Sequence, residues 1–345
     1  MTWYIDKGPE SDVIISSRIR LARNLAQYPF PHRMDNQQAR QAADEVVAAF
    51  MASDDQRRHD FLTLDLETLN EIDRVALAEK HLISEDLART GANHRVIISR
   101  DESLSIMINE EDHIRIQAMQ AGLDLDGAYA LASTASRQFE ERLSVAYSEQ
   151  FGFLTACPTN TGTGMRASVM AHLPGLVMTG KIRTIVDSLS KMSFAVRGYH
   201  GEGSKSQGNI FQISNQLTLG LSEEDLINDL KRMLNQLIEQ ERKARRALYR
   251  ARPTYVEDKV MRSVGLLREA RLMANDEALS LFSDLRLGLA LGLIHGVSEA
   301  EVNRLVASIG PASIQKSQGR PMNPEERDIA RATAIRTLFA ATQTL

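Results

Sequence analysis

Cys157 is the only cysteine in a chain of 345 residues, and it opens the run CPTNTGTGMRASVM (157–170), where Gly162 and Gly164 precede Arg166. A glycine-rich loop next to a cation suits phosphate, because main-chain N–H groups can approach the oxygens closely there. The lysine of a P-loop is missing from this one. The stretch GLVMTGKI (175–182) does match the first seven P-loop positions, but Ile182 stands where Ser or Thr should meet magnesium. Pro174 also breaks the strand that would have to feed it, so the match reads as chance. The HRD and DFG triplets of protein kinases are absent.

Other cations stand in strand-like or glycine-flanked settings. In DVIISSRIRL, alternation puts Ser16, Arg18 and Arg20 on one face and Val13, Ile15 and Ile19 on the other. Two arginines on one strand face repel unless an anion lies between them. Arg115 alternates with Ile114 and Ile116, and Arg197 begins the glycine-rich RGYHGEG. Each arginine alone reads as solvated surface charge. Together with Arg166, the five would suit a triphosphate, since a guanidinium offers phosphate a planar fork of donors. Among the acids, Glu111 falls four residues before Arg115 on the same expected strand face, about 13 Å away. Glu110 points to the opposite face, or turns toward a metal at a strand end. Glu202 sits between glycines five residues after Arg197. An isolated acid of this kind is usually a hydrated turn residue.

The elements that must position these groups point to an α+β fold with a largely antiparallel sheet flanked by helices. RVIIS and LSIMIN, separated by RDES, predict a hairpin, and NIFQISNQLTLG (209–220) alternates with Phe211, Ile213, Leu217 and Leu219 on one side. After Gly220 the period becomes helical, opening on a capping-box pattern of Ser222 and Asp225. We therefore expect a catalytic domain over 12–221 and a helical domain over 222–345. Charge is nearly balanced, 41 Lys+Arg against 45 Asp+Glu, which gives no reason to expect nucleic acid as a partner. A single cysteine fits a reducing compartment. No apolar run approaches the roughly 18 residues of a membrane span, and MTWYIDKGPE lacks the pattern of a signal peptide, so a cytoplasmic protein is expected.

Four segments in order, SSRIRLARNL (16–25), NEEDHIRI (109–116), CPTNTGTGMRASV (157–169) and RGYHGEG (197–203), resemble the signature segments of the ATP:guanido phosphotransferases, the phosphagen kinase family. The resemblance covers about residues 12–220. It implies that Arg18, Arg20, Arg115, Arg166 and Arg197 grip the phosphates of ATP. The flanking Ser16, Ser17, Ile19, Ala167, Ser168, Val169, Met170, Gly198 and Gly201 belong to the same nucleotide site, with His81 of EKHLIS against the nucleotide. Met170 stands where the family has a histidine. The resemblance further implies that Glu111 and Glu202 hold the acceptor guanidinium and that Cys157 lies beside it. We expect Glu111 to be the base, Glu202 to orient the acceptor, and Cys157 to act electrostatically as a thiolate. No matching segment supplies Cys157 with the base a covalent nucleophile needs. Mg²⁺ would be held mainly by the nucleotide phosphates, with Glu110 reaching it through water and no protein metal site beyond that.

Family members that phosphorylate free arginine or creatine carry a helical domain and a closing loop ahead of the first signature, which here begins at residue 16. An acceptor pocket without that lid could admit an arginine side chain of a protein. Near the C-terminus, NPEERDIARATAIR carries an N-cap at Asn323, Pro324 at the first helical position and Glu326 to complete a capping box. Arg327 and Arg331 share a face beside Asp328, ordinarily a solvated, salt-bridged surface. RDIARA also resembles the RDxxRA motif of the family's protein-arginine kinases, which implies an allosteric phosphoarginine pocket formed by Arg327, Asp328 and Arg331. The same resemblance implies protein substrates with exposed arginines, an McsA-like activator, a Clp ATPase/protease, a heat-shock repressor and a homodimer. A small-molecule guanidino kinase and a non-catalytic phosphoarginine-binding adaptor remain as alternatives.

Overall fold

A computed structural model describes residues 2–5, 7–52, 57–90, 93–198 and 207–341. Its strands are β1 (Ile14–Arg23), β2 (Phe61–Asp65), β3 (Arg95–Ser99), β4 (Leu104–Ile108), β5 (Ile114–Ala121), β6 (Tyr147–Ser148), β7 (Gly152–Phe153), β8 (Met165–His172), β9 (Phe194–Gly198) and β10 (Ile210–Asn215). Eight of them form one sheet in the order β2-β3-β4-β5-β1-β8-β10-β9, antiparallel at every pairing, while β6 and β7 make a separate hairpin. The expected α+β class and the β3–β4 hairpin are both present. One sheet face is covered by the helices Asn36–Met51, Leu125–Arg142 and Glu223–Ala251, whose buried residues join those of β1, β5 and β8 in a single apolar core.

β1 runs through the middle of the sheet. Arg18 pairs with Met119 of β5 and Ser168 of β8, and Arg20 with Gln117 and Arg166. The expected alternation along β1 fails at one position. The pairing with β8 shifts register between Ile14 and Ser16, and Ile15, expected with Val13 and Ile19, lines a cavity beside Ser16. An inserted residue of this kind turns its neighbours' faces, and a two-residue period cannot reveal it. Ser17 keeps to the core face, where its hydroxyl donates to the Gly122 carbonyl (2.8 Å) and accepts from the Asp124 N–H (3.0 Å).

The expected alternation through Leu219 also stops early. β10 ends at Asn215, whose side chain accepts from the Ala167 N–H (2.8 Å) and donates to the Leu217 carbonyl (2.8 Å). Thr218 is turned inward, donating to the carbonyls of Thr159 and Thr161, and Leu217 and Leu219 face out.

The capping boxes at Ser222–Asp225 and Asn323–Glu326 form as the sequence predicts. Beyond Arg252, a second apolar core joins residues from Val256 to Phe339. This helical region is fastened beside the helix Glu71–Glu79. The Glu79 carboxylate accepts the N–H groups of Ala312 (2.7 Å) and Ser313 (2.8 Å), capping the helix Pro311–Gln318. The P-loop lookalike lies at the short helix Pro174–Met178. The N–H groups of Gly175 and Leu176 there are taken by the buried Glu241 carboxylate (2.8 and 2.9 Å), so no phosphate is needed to satisfy them.

Candidate active site

The sheet face opposite the apolar core gathers the arginines from four strands: Arg18 and Arg20 on β1, Arg115 on β5, Arg166 on β8 and Arg197 on β9. A cleft of about 550 Å³ is lined by Arg18, Arg20, Arg115 and Arg197 together with His81 and Ser84. A second cavity of about 470 Å³ is lined by Arg20, Arg115, Arg166 and Arg197 together with Glu111, Cys157 and Asn160. The two share Arg20, Arg115 and Arg197, so a row of guanidinium groups lies between a deep cleft and a pocket holding a carboxylate and a thiol.

These charges are held against their own preference. Burial lowers Arg18 to about 10, helped by repulsion from Arg115, Arg166 and Arg197. Burial lowers Arg20 well below its ordinary value, with Arg18, Arg115 and Arg166 adding to it and Glu110 opposing. Arg166 is lowered by burial and then by Arg197 and Arg115, with Cys157 and Glu111 pulling the other way. The Nε atoms of Arg20 and Arg166 are buried without a partner among the described residues. Buried donors are normally satisfied, so two orphans in one cationic cluster point to an anionic ligand.

Arg115 differs from its neighbours. Burial works against its charge, and the Glu110 carboxylate, ion-paired with it, outweighs burial and raises it. Glu110 also accepts the Glu111 N–H (2.9 Å). Among the described residues, no cluster of three or more His, Cys, Asp or Glu side chains could hold an ion.

Glu111 lies on neither face of β5. It sits in the bend before Ile114, which starts at Asn109 with a left-handed φ of 60°, so the 13 Å spacing along a strand does not apply. It nevertheless shares the cavity with Arg115 and Cys157. Burial raises its carboxyl, and the neighbouring Asp112 adds to the shift against the pull of Arg115. Asn160 Nδ2 lies 3.4 Å from Glu111 Oε2, and the half-buried Cys157 Sγ lies 3.0 Å from Thr159 Oγ1. A buried node sets both loops. Asp112 Oδ1 accepts from Asn24 Nδ2 (2.6 Å) and from the Ala156 N–H (2.7 Å), and Asn24 Oδ1 accepts the His113 N–H (3.0 Å). Sequence reasoning passed over Asp112, Asn24 and Asn160 as site residues, although all three lie inside the segments that drew attention.

The glycines of the Cys157 loop serve close packing. At Gly164, φ is +63° and a Cβ would come within 2.7 Å of the Ala22 carbonyl oxygen; at Gly162, φ is +116° and a Cβ would come within 2.2 Å of the Thr218 carbonyl oxygen. The loop lines the cavity with Cys157, Thr159, Asn160 and Gly164 as well as Arg166, and Gly164 lets its chain lie close against β1.

The remaining expected residues divide by face. Ser168 accepts from Arg18 Nε (3.2 Å), and Ser16, Met170 and His81 line a narrow cavity of about 80 Å³ next to the main cleft. His81 holds a left-handed φ of 58°, and its carbonyl accepts from Gln117 of β5. The side chains of Ile19, Ala167 and Val169 lie in the apolar core, so only their main chain borders the arginine-lined face, and Gly198 is buried in β9. Gly201 and Glu202 lie outside the described residues. Arg327, Asp328 and Arg331 are on the separate helix Pro324–Ala341. Arg331 is 1% exposed and donates to the carbonyls of Ile309 (2.8 Å) and Met273 (2.8 Å) and to Asp328 Oδ1 (2.6 Å).

Residues 41–244 match the family model of the ATP:guanido phosphotransferase C-terminal catalytic domain, and residues 253–345 match that of the protein-arginine kinase McsB C-terminal domain. The chain is 47% identical to a protein-arginine kinase of Desulforamulus reducens, over 97% of this chain and 94% of that protein. It is 45% identical to one of Moorella thermoacetica, over 98% of this chain and 97% of that protein. Among solved structures, the duplicated taurocyamine kinase of Schistosoma mansoni with bound transition-state analogue components is similar at a TM-score of 0.59 and 25% identity, over 72% of this chain and 37% of that one. A lombricine kinase shares the fold at a TM-score of 0.58 and 23% identity, over 70% and 71%. The chain belongs to the ATP:guanido phosphotransferase family and, within it, to the protein-arginine kinases.

Proposed function

We propose that the protein transfers the γ-phosphoryl group of ATP to arginine side chains of proteins. The observation that carries this reading is the pair of cavities sharing Arg20, Arg115 and Arg197, one with His81 and the other with Glu111 and Cys157. The cleft takes the nucleotide, and the shared arginines hold the phosphoryl group in transit, where charge spreads over its oxygens. A guanidinium has a pKa above about 12 and no free lone pair. Glu111, its carboxyl raised by burial, accepts one N–H proton. The nitrogen lone pair so released forms the N–P bond while the bridging P–O bond to ADP breaks. Glu202 is the second carboxylate in this reading, fixing the plane of the acceptor. Mg²⁺ fits as a partner of the phosphates, since it usually keeps waters and takes few protein ligands, and it supplies charge neutralisation there.

Mass spectrometry that preserves the acid-labile N–P bond, after incubation with ATP, Mg²⁺ and either casein or free arginine, tests the proposal. Phosphoarginine in casein supports it, and label on free arginine alone returns the protein to the small-molecule kinases. Cys157→Ser should lower the rate strongly with no covalent intermediate in either protein, because the thiol acts on the acceptor's charge. Trapping a phosphocysteine at Cys157 during turnover would overturn that role.

The family supports further parts of the proposal: a cytoplasmic homodimer, an McsA-like activator, and marking of proteins for a Clp protease together with a heat-shock repressor. No described helix is long and apolar enough to cross a membrane. We assign the catalytic unit to 12–221 and the helical unit to 222–345, with the helix Glu223–Ala251 joining them through its contacts with the sheet core. Arg327 and Asp328 are the candidate ligand contacts of an allosteric phosphoarginine site, and Arg331 its scaffold. Arg327→Ala or Asp328→Ala should weaken stimulation by added phosphoarginine by one to two decades in affinity, the worth of one charged contact at about 1.5–3 kcal/mol. Arg331→Ala should instead lower the melting temperature, because two buried carbonyls and the half-buried Asp328 carboxylate lose their donor. Equal stimulation of wild type and both ligand-contact variants would return this helix face to plain solvated surface.

A further inference from the structure

Gln216 lines the acceptor cavity, and the chain after it exposes one large apolar side chain after another. Leu217 is 52% exposed, Leu219 54% and Leu221 38%. This is no loose tail. Thr218, between the first two, is buried and donates to the carbonyls of Thr159 (2.9 Å) and Thr161 (2.8 Å), and Thr159 lines the cavity beside Cys157. The leucines are therefore held out to solvent by a segment tied to the catalytic loop. The main chain links this segment to a further exposed apolar side chain. Gly162 lies against Leu219, whose Cα would be 2.9 Å from an added Cβ, and Gly162 exchanges two main-chain hydrogen bonds with Phe153 (2.8 and 3.2 Å). The Phe153 ring meets Tyr147 edge-on at 5.2 Å, and Tyr147 is 60% exposed. Single exposed apolar side chains need no explanation, but a connected group of them marks a contact surface.

We propose that Leu217, Leu219 and Leu221, continued by Tyr147, form a docking ledge for the polypeptide on either side of the acceptor arginine. The inference rests on the protein-arginine kinase reading and adds a substrate class to it: segments carrying apolar residues next to the arginine. The occupant follows from position. An arginine whose guanidinium reaches Glu111 and Cys157 has its own main chain at the cavity mouth, within one side chain's length of Gln216. Its sequence neighbours then cross the surface that begins at Leu217. The ledge carries no charge of its own, so it selects apolar contacts over charged ones.

The test uses the full chain and two unstructured peptides of equal length, each with one arginine, flanked in one by leucines and in the other by serines. Wild type should favour the leucine peptide by about tenfold or more in kcat/KM, the equivalent of about 1.4 kcal/mol. Leu217→Ser combined with Leu219→Ser should abolish that preference through KM and leave the serine peptide unaffected. Leu62→Ser, an exposed leucine on edge strand β2, should change neither. Equal rates of wild type on the two peptides, or an equal loss on both in the double variant, would overturn the ledge and leave the kinase reading standing. Phosphorylation of free arginine with neither peptide modified would remove the kinase reading and the ledge with it.

Discussion

Glu111→Gln should reduce turnover on a protein acceptor by about 10²–10⁴-fold, the usual worth of a general base. The substitution keeps the shape of the side chain and removes its capacity to take a proton. Nucleotide affinity should be unchanged, because the arginines of the cleft and the Glu110–Arg115 pair are untouched. The pH dependence separates a base from a merely structural carboxylate. Burial, then Asp112, raises the Glu111 carboxyl above the ordinary range, so in wild type the rate should fall as pH drops from neutral through that raised value. The variant's low rate should lack this limb. The same shift fixes the sign of a stability effect. A carboxyl that holds its proton more tightly when folded costs stability that grows as pH rises past its ordinary value and is fully present above the raised one. Glu111→Gln should therefore melt no lower than wild type at neutral pH. Turnover within tenfold of wild type would exclude Glu111 as the base.

Much of this architecture was legible because local chemistry dictates it. The capping boxes at Ser222 and Asn323 and the turn between β3 and β4 depend on residues a few positions apart, and all appear as read. The five arginines were legible as a set because strand alternation aims Arg18 and Arg20 one way. Their convergence depends on β1 lying between β5 and β8, a pairing of distant segments that no period encodes. The errors have the same origin. Ile15 and Leu217 were assigned by counting in twos, and a register shift and an asparagine-closed strand end interrupted the count. The ion pair of Glu110 with Arg115 likewise spans a bend that no period encodes. The glycines beside Arg166 also pack closely against the carbonyls of Ala22 and Thr218, obstructions that come from elsewhere in the chain and that no local pattern announces.

Arg20 is the group for which stability and function should separate most clearly. The side chain is half-buried, its Nε is buried without a partner among the described residues, and desolvation, then Arg18, Arg115 and Arg166, depress its pKa. Burial and its cationic neighbours thus make the charge unfavourable in the ligand-free protein. Glu110 opposes the shift, but it remains ion-paired with Arg115 when Arg20 is removed, so no carboxylate is orphaned. Arg20→Met, similar in length and uncharged, should therefore stabilise the ligand-free protein by on the order of 1 kcal/mol or more, since apolar replacement of buried charge is often stabilising. ATP affinity should fall by about 10–10²-fold, the loss of one charged contact to phosphate. Turnover should fall further, by about 10²–10³-fold, because Arg20 lies where both cavities meet and charge develops in the transition state. ATP should raise the melting temperature of wild type and much less that of the variant, since a ligand stabilises in proportion to its occupancy of the folded state. Thermal melts with and without ATP read both effects at once. A variant that melts lower than wild type without ligand, or that keeps the full ATP-induced shift, would show that Arg20 is a structural cation and that phosphate is gripped elsewhere.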